Sequence, residues 1–127
     1  MARILVVEDN AANMKLACLL LENVGHVVLT AVDAEIGLTV ARAEKPDLIL
    51  MDIQLPGMDG LAATRLLKAD PATAHIPVIA LTAMAMKEDQ EKTRAAGCDE
   101  YIAKPLRYKE LLAAIDKLLA EGAVRLT

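Results

Sequence analysis

Short apolar runs recur along the chain at Ile4–Val7, Val27–Leu29, Leu48–Met51, Val78–Leu81 and, more weakly, Tyr101–Ala103, with a helix-length segment between each run and the next. This alternation constrains the fold more than any other feature. Near-continuous Val, Ile and Leu strands are buried on both faces, which calls for a parallel sheet with helices above and below it. The helix ends are marked as well. Met14, Ala17, Leu21 and Val24 fall on one helical face, and Gly25 stands where a left-handed cap is wanted. Asp33 caps a second helix that stops before Pro46, and Asp59 a third that carries Leu66 and Leu67 and stops before Pro71. Met84–Ala96 gives a fourth, ended by Gly97, and Leu106–Glu121 a fifth, ended by Gly122.

The expected fold is therefore α/β and flavodoxin-like: (βα)5, doubly wound, with five parallel strands in the order 2-1-3-4-5. At 127 residues the chain makes one domain, with a core over about 2–121 and a short C-terminal tail. Lys68–His75 reads as a polar loop around Pro71. A net charge of -4 argues against binding a nucleic-acid backbone, and the near-absence of aromatics removes any platform for stacking bases. No apolar run spans a membrane, and Glu8-Asp9 follows the start too closely for a signal peptide, so the expected location is cytoplasmic. Cys18 and Cys98 lack any metal-binding spacing and read as packed thiols.

Right-handed crossovers bring every strand to an end at one edge of the sheet, which is where ligands bind in such folds. The unusual polar residues are all there: Glu8-Asp9 after strand one, Asp52 after strand three, Thr82 after strand four and Lys104-Pro105 after strand five. With strands one and three neighbours at about 4.8 Å, Glu8, Asp9 and Asp52 converge. Three carboxylates need compensation, either a retained proton or a hard cation, and an all-oxygen site favours Mg²⁺. Lys104 adds a positive charge and Thr82 a hydroxyl. Such a site suits phosphoryl transfer to a carboxylate, with Asp52 the best nucleophile because it stands singly at its strand end.

Four segments in this order, Ile4–Asn10, Leu48–Gly60, Pro77–Ala83 and Tyr101–Pro105, resemble the receiver domain of bacterial two-component response regulators, over essentially the whole chain. The Met51–Pro56 segment resembles stand-alone regulators and the receivers of hybrid histidine kinases. The resemblance implies that Asp52 accepts a phosphoryl group from phosphohistidine. It implies Mg²⁺ held by Asp9, Asp52 and the backbone carbonyl of Gln54, with Glu8 acting through a water. Lys104 and the Ala83 backbone would contact the phosphoryl oxygens. Thr82 would move toward them and let Tyr101 turn inward, reshaping the surface of helix four, strand five and helix five. The Lys104-Pro105 bond would be cis. The implied partners are a sensor histidine kinase or a histidine phosphotransferase, together with a downstream effector protein, with the chain a monomer or weak dimer. Gln54 and Met84 stand two positions beyond Asp52 and Thr82, where the family tunes water access; an apolar Met84 does not orient water, so a long-lived phosphoryl state is expected.

Other readings compete. A Mg²⁺-dependent phosphatase would want a second Asp two beyond Asp9, where Ala11 stands, and a flavin carrier would want a phosphate-binding loop where Glu8-Asp9-Asn10 stands. A receiver excised from a hybrid kinase and a phosphorylation-independent docking module fit the same residues. His26 and His75 read as surface residues, and Met14, Met84 and Met86 as core or gap filling. Lys87–Lys92 reads as either a partner face or a solvated helical face.

Overall fold

The computed structural model describes residues 2–83 and 87–126, with residues 87–89 and 122–126 as backbone only. Five strands, β1 (Arg3–Val7), β2 (Val27–Ala31), β3 (Leu48–Asp52), β4 (Val78–Thr82) and β5 (Glu100–Ala103), alternate with five helices. The helices are α1 (Ala11–Asn23), α2 (Ala34–Glu44), α3 (Gly60–Ala69), α4 (Lys87–Ala96) and α5 (Tyr108–Leu126). The sheet is parallel throughout and ordered β2-β1-β3-β4-β5.

Side chains alternate across each strand, and the sheet sorts them into two cores. Ile4, Val6, Leu48, Leu50, Ile79, Leu81 and Ile102 pack with Ala17 and Leu21 of α1 and with Leu111, Ile115 and Leu118 of α5. Leu5, Val7, Ile49, Met51 and Val78 face the other way, against Ala34, Leu38 and Ala41 of α2 and Ala63 and Leu67 of α3. Both faces of every inner strand are therefore buried, which is why the runs read as continuous rather than alternating.

Asn10, Asp33 and Asp59 each cap a helix by accepting from the backbone N–H three residues on, at 3.0, 2.8 and 2.8 Å. Gly25 and Gly97 end α1 and α4 at φ +92° and +101°. Lys45 takes the same left-handed conformation at φ +46° ahead of Pro46, with no glycine there to mark it in advance.

Several expectations need correcting. α1 stops at Asn23, so Val24 lies past the helix and is exposed rather than inward. α3 carries Leu66 and Leu67 as expected, the first exposed and the second buried. α3 runs through Lys68 to Ala69, which shortens the polar loop. α5 begins at Tyr108 and continues through Gly122 to Leu126 instead of leaving a tail. One glycine costs a helix about 1 kcal/mol, and Ala120, Glu121, Ala123 and Leu126 around it are strong helix formers. His26 is not merely a surface residue, because its Nδ1 accepts the Ala2 N–H at 3.1 Å, whereas His75 is exposed. Cys18 and Cys98 are half-buried. Met84 and Met86, and with them the expected start of the fourth helix and the reading of water access, lie outside the described residues.

At the edge where strands begin, Lys68 holds the sheet to α3. Its Nζ donates to the carbonyls of Ile76 and Ala74 at 2.8 and 3.3 Å and pairs with Asp99 at 3.0 Å. The same Asp99 oxygen accepts the Val78 N–H at 2.9 Å.

Candidate functional site

The opposite edge is built by strand register. Val7 pairs with Met51, so Glu8 and Asp52 emerge side by side as the next residues of adjacent strands. Each is 2% exposed. Lys104, following β5, is drawn in when its N–H donates to the Thr82 carbonyl at 2.7 Å. Its Nζ then meets Asp52 Oδ2 at 2.9 Å and both oxygens of Glu8 at 3.1 and 3.3 Å. The Lys104-Pro105 bond is cis, as expected. Asp52 Oδ1 accepts the Gln54 N–H at 2.9 Å, so both oxygens of the carboxylate are held.

Burial pushes the Glu8 carboxyl above the usual carboxylate range, and neighbouring Asp52 adds to that push against the partial offset of Lys104 and Asn13. Burial alone would lower the pKa of the Lys104 ammonium, but its hydrogen bonds to Asp52 and Glu8 outweigh that and the net direction is up. Lys104 is a firmly held cation, and it is outnumbered.

One carboxylate oxygen from each of Glu8, Asp9 and Asp52 lies within 4.8 Å of the other two, with Asp9 exposed. When all are ionised, three carboxylates against one ammonium leave two negative charges, the charge of one divalent cation. An all-oxygen donor set with one carboxylate open to water fits a hard, partly hydrated ion such as Mg²⁺ and offers nothing to a soft one.

Thr82 is fully buried at the end of β4, with Ala83 exposed beside it. Tyr101 is not part of the carboxylate cluster. Ile79 and Leu81 face α1 and α5, so Thr82 lies on the other face, and by the same alternation Tyr101 shares that face while Ile102 does not. The half-buried Tyr101 hydroxyl accepts from Gln90 Nε2 of α4 at 2.6 Å. Gln54 is exposed, and its backbone N–H faces Asp52.

Two supporting residues escaped the sequence reading. Asn13, on the first turn of α1, donates from Nδ2 to Glu8 Oε1 at 3.2 Å, and its place follows from the Asn10 cap that starts the helix. Gly60 opens α3 against the end of β3. A Cβ there would overlap the Asp52 carbonyl oxygen and come within 2.7 Å of Ile53 Cα, so only glycine lets the helix close over the end of β3. The Asp59-Gly60 pair was the available signal, since a cap followed by glycine marks a helix that starts in close quarters.

The family model for the response regulator receiver domain matches residues 4–116. The chain belongs to the response-regulator receiver family. The polar-differentiation response regulator DivK of Brucella anthropi is 45% identical over 119 residues, 94% of this chain and 97% of its own. Among solved structures, the receiver domain of a sensor histidine kinase from Pseudomonas aeruginosa, with a magnesium ion coordinated in its active-site cleft, matches at a TM-score of 0.88 and 35% identity, over 94% of this chain and 98% of that one. A CheY-like receiver domain protein from Methanospirillum hungatei matches at 0.89 and 33% identity, over 98% of each chain. This receiver domain is thus a two-component signalling protein, DivK-like, with an acidic pocket suited to a metal. Receiver domains as a family work with histidine kinases and effectors. No helix among the described residues is long and apolar enough to cross a membrane.

Proposed function

We propose that this receiver domain is a phosphorylation-dependent switch, and that Asp52 is its phosphoacceptor. The observation that carries the reading is the contact of Lys104 with both Asp52 and Glu8, which places a held cation beside a buried carboxylate at the end of a central strand. The Asp52 carboxylate attacks phosphorus as the bond from phosphorus to the donor imidazole breaks. That nitrogen keeps the bonding pair, and an aspartyl phosphate results. The Gln54 N–H fixes the attacking group in orientation, and Lys104 is close enough to exchange its carboxylate contacts for the arriving phosphoryl oxygens. The exposed Ala83 backbone next to Thr82 offers a further donor at the same edge. Asp9, Asp52 and the Gln54 carbonyl would hold Mg²⁺, with Glu8 behind them through a water. Bound there, the ion neutralises charge that develops on the equatorial oxygens.

The new anion draws the Thr82 hydroxyl toward it and opens room for Tyr101, which changes the surface of α4, β5 and α5. Supporting this, Thr82 and Tyr101 share one face of the sheet, and Tyr101 already bridges β5 to α4. The donor is a sensor histidine kinase or a histidine phosphotransferase, the reader is a downstream effector protein, and the exchange takes place in the cytoplasm with the chain a monomer or weak dimer. Intact mass after incubation with acetyl phosphate tests the acceptor directly. The expected result is a gain of one phosphoryl group that requires Mg²⁺ and is lost in Asp52→Asn. No gain from acetyl phosphate, followed by none from a phosphorylated histidine kinase, overturns the reading.

A further inference from the structure

Gln90 takes no part in the acceptor chemistry, yet it holds a residue of the proposed switch. In register, Tyr101 pairs with Ala80 and Ala103 with Thr82, so the ring's same-face neighbours on these two strands are two alanines and a threonine. Such small neighbours cannot clamp a phenol. Tyr101 also lines a cleft of about 70 Å³ between α4 and β5, together with Gln90, Thr93, Arg94, Cys98 and Glu100, so its packing is open on that side as well. What fixes the hydroxyl among the described residues is the Gln90 amide at 2.6 Å. The backbone that carries this amide is tied down: the buried Thr93 donates from Oγ1 to the Gln90 main-chain carbonyl at 2.8 Å and secures that turn of α4.

We propose that Gln90 is a positioning residue for Tyr101, a latch that keeps the phenol at the α4–β5 cleft and so favours the resting surface over the phosphorylated one. The inference rests on the acceptor reading above. A net hydrogen bond of ordinary strength biases a two-state balance roughly fivefold. Because coupling between two sites is reciprocal, a latch that opposes the switched surface also opposes phosphorylation at Asp52.

The chain has two tyrosines and no tryptophan, so fluorotyrosine incorporated into the full chain gives one resonance for Tyr101 and one for Tyr108. Tyr108, half exposed at the start of α5, serves as the control for folding. In the unaltered chain, acetyl phosphate with Mg²⁺ is expected to shift the Tyr101 resonance. Gln90→Leu is expected to shift it in the same direction without phosphorylation. It is also expected to raise the ratio of phosphorylated to free chain at sub-saturating acetyl phosphate roughly fivefold. Gln90→Glu, whose carboxylate can accept from the phenol, should restore both values, which a merely structural role would not predict. A Tyr101 resonance in Gln90→Leu that coincides with the unaltered one, an unchanged phosphorylated ratio, or a Gln90→Glu that behaves like Gln90→Leu overturns the latch. If Gln90→Leu also moves Tyr108, Gln90→Ala is judged by the same criteria. If the unaltered chain gains no phosphoryl mass from any donor, the acceptor reading fails separately, and the latch stands or falls on the Tyr101 resonance of Gln90→Leu alone.

Discussion

A lysine closes each edge of the sheet, and the two lysines do opposite things. Lys68 sits among partners that suit one positive charge: two backbone carbonyls, and one carboxylate that also caps the Val78 N–H. Lys104 sits among partners that exceed it, touching two nearly fully buried carboxylates with a third beside them. The first edge is balanced and rigidifies the junction of α3, β4 and β5. The second is left with surplus negative charge, and a protein bears that cost where the charge has a use. The same fold thus carries a structural clasp and a chemical site at opposite ends of its strands.

The largest test of this contrast replaces each lysine. Lys104→Met leaves Glu8 and Asp52 buried and facing each other, a change expected to cost about 3 kcal/mol in chelator. Lys68→Met removes a donor from partly solvated acceptors and is expected to cost about 1–2 kcal/mol. Thermal unfolding with and without Mg²⁺ reads both. Added Mg²⁺ should recover part of the first loss and none of the second, and equal recovery would erase the contrast.

Glycines give a smaller version of the same comparison. Gly60→Ala pushes a methyl into the backbone of Asp52 and is expected to cost about 2 kcal/mol or more. It should also slow Asp52 phosphorylation, because the acceptor strand has to move. Gly97→Ala forces a left-handed residue toward Lys68 Cγ and is expected to cost about 1–2 kcal/mol, with phosphorylation kept. Urea unfolding alongside the mass assay separates the two outcomes, and a Gly97→Ala that loses phosphorylation would break the division between edges.

The smallest effect lies at the end of α3, where the Ala72 N–H, and after it Arg42, hold the partly exposed Asp70 carboxyl below its ordinary value of 3.8. A carboxyl whose folded pKa is depressed contributes stability that is complete above the unfolded pKa and fades as pH falls through the folded one. Stability measured from pH 5 downward should therefore fall a little less steeply in Asp70→Asn, with no change in Mg²⁺ dependence.

How much of this was legible depended on whether a feature was local. Ile4–Val7 and Leu48–Met51 announced buried strands, and each was followed at once by its acidic residue, so the sheet edge and the meeting of Glu8, Asp9, Asp52 and Lys104 could be read in advance. Asn10, Asp33 and Asp59 declared their helices because a cap acts over three residues. Asn13 and Gly60 were harder to read, since each matters through a contact from the start of a helix back onto the end of the strand before it, which depends on how the intervening loop folds. Gly122 misled because a glycine signals a stop only when the residues around it do not favour continuing. Gln90 gave no signal, since an amide on a polar helix takes its meaning only from the ring placed opposite it.

The alternation of side chains across the strands has a consequence for how such a molecule can diversify. Glu8 and Asp52 continue the register of the residues that face α1 and α5, while Thr82 and Tyr101 belong to the register that faces α4. The sheet is a partition one peptide thick, with the proposed acceptor on one side and the threonine and tyrosine proposed to respond to it on the other. Substitutions among the residues that pack against α4 need not disturb the side that carries Glu8 and Asp52, so the proposed response and the proposed acceptor chemistry can change on separate schedules within one small domain.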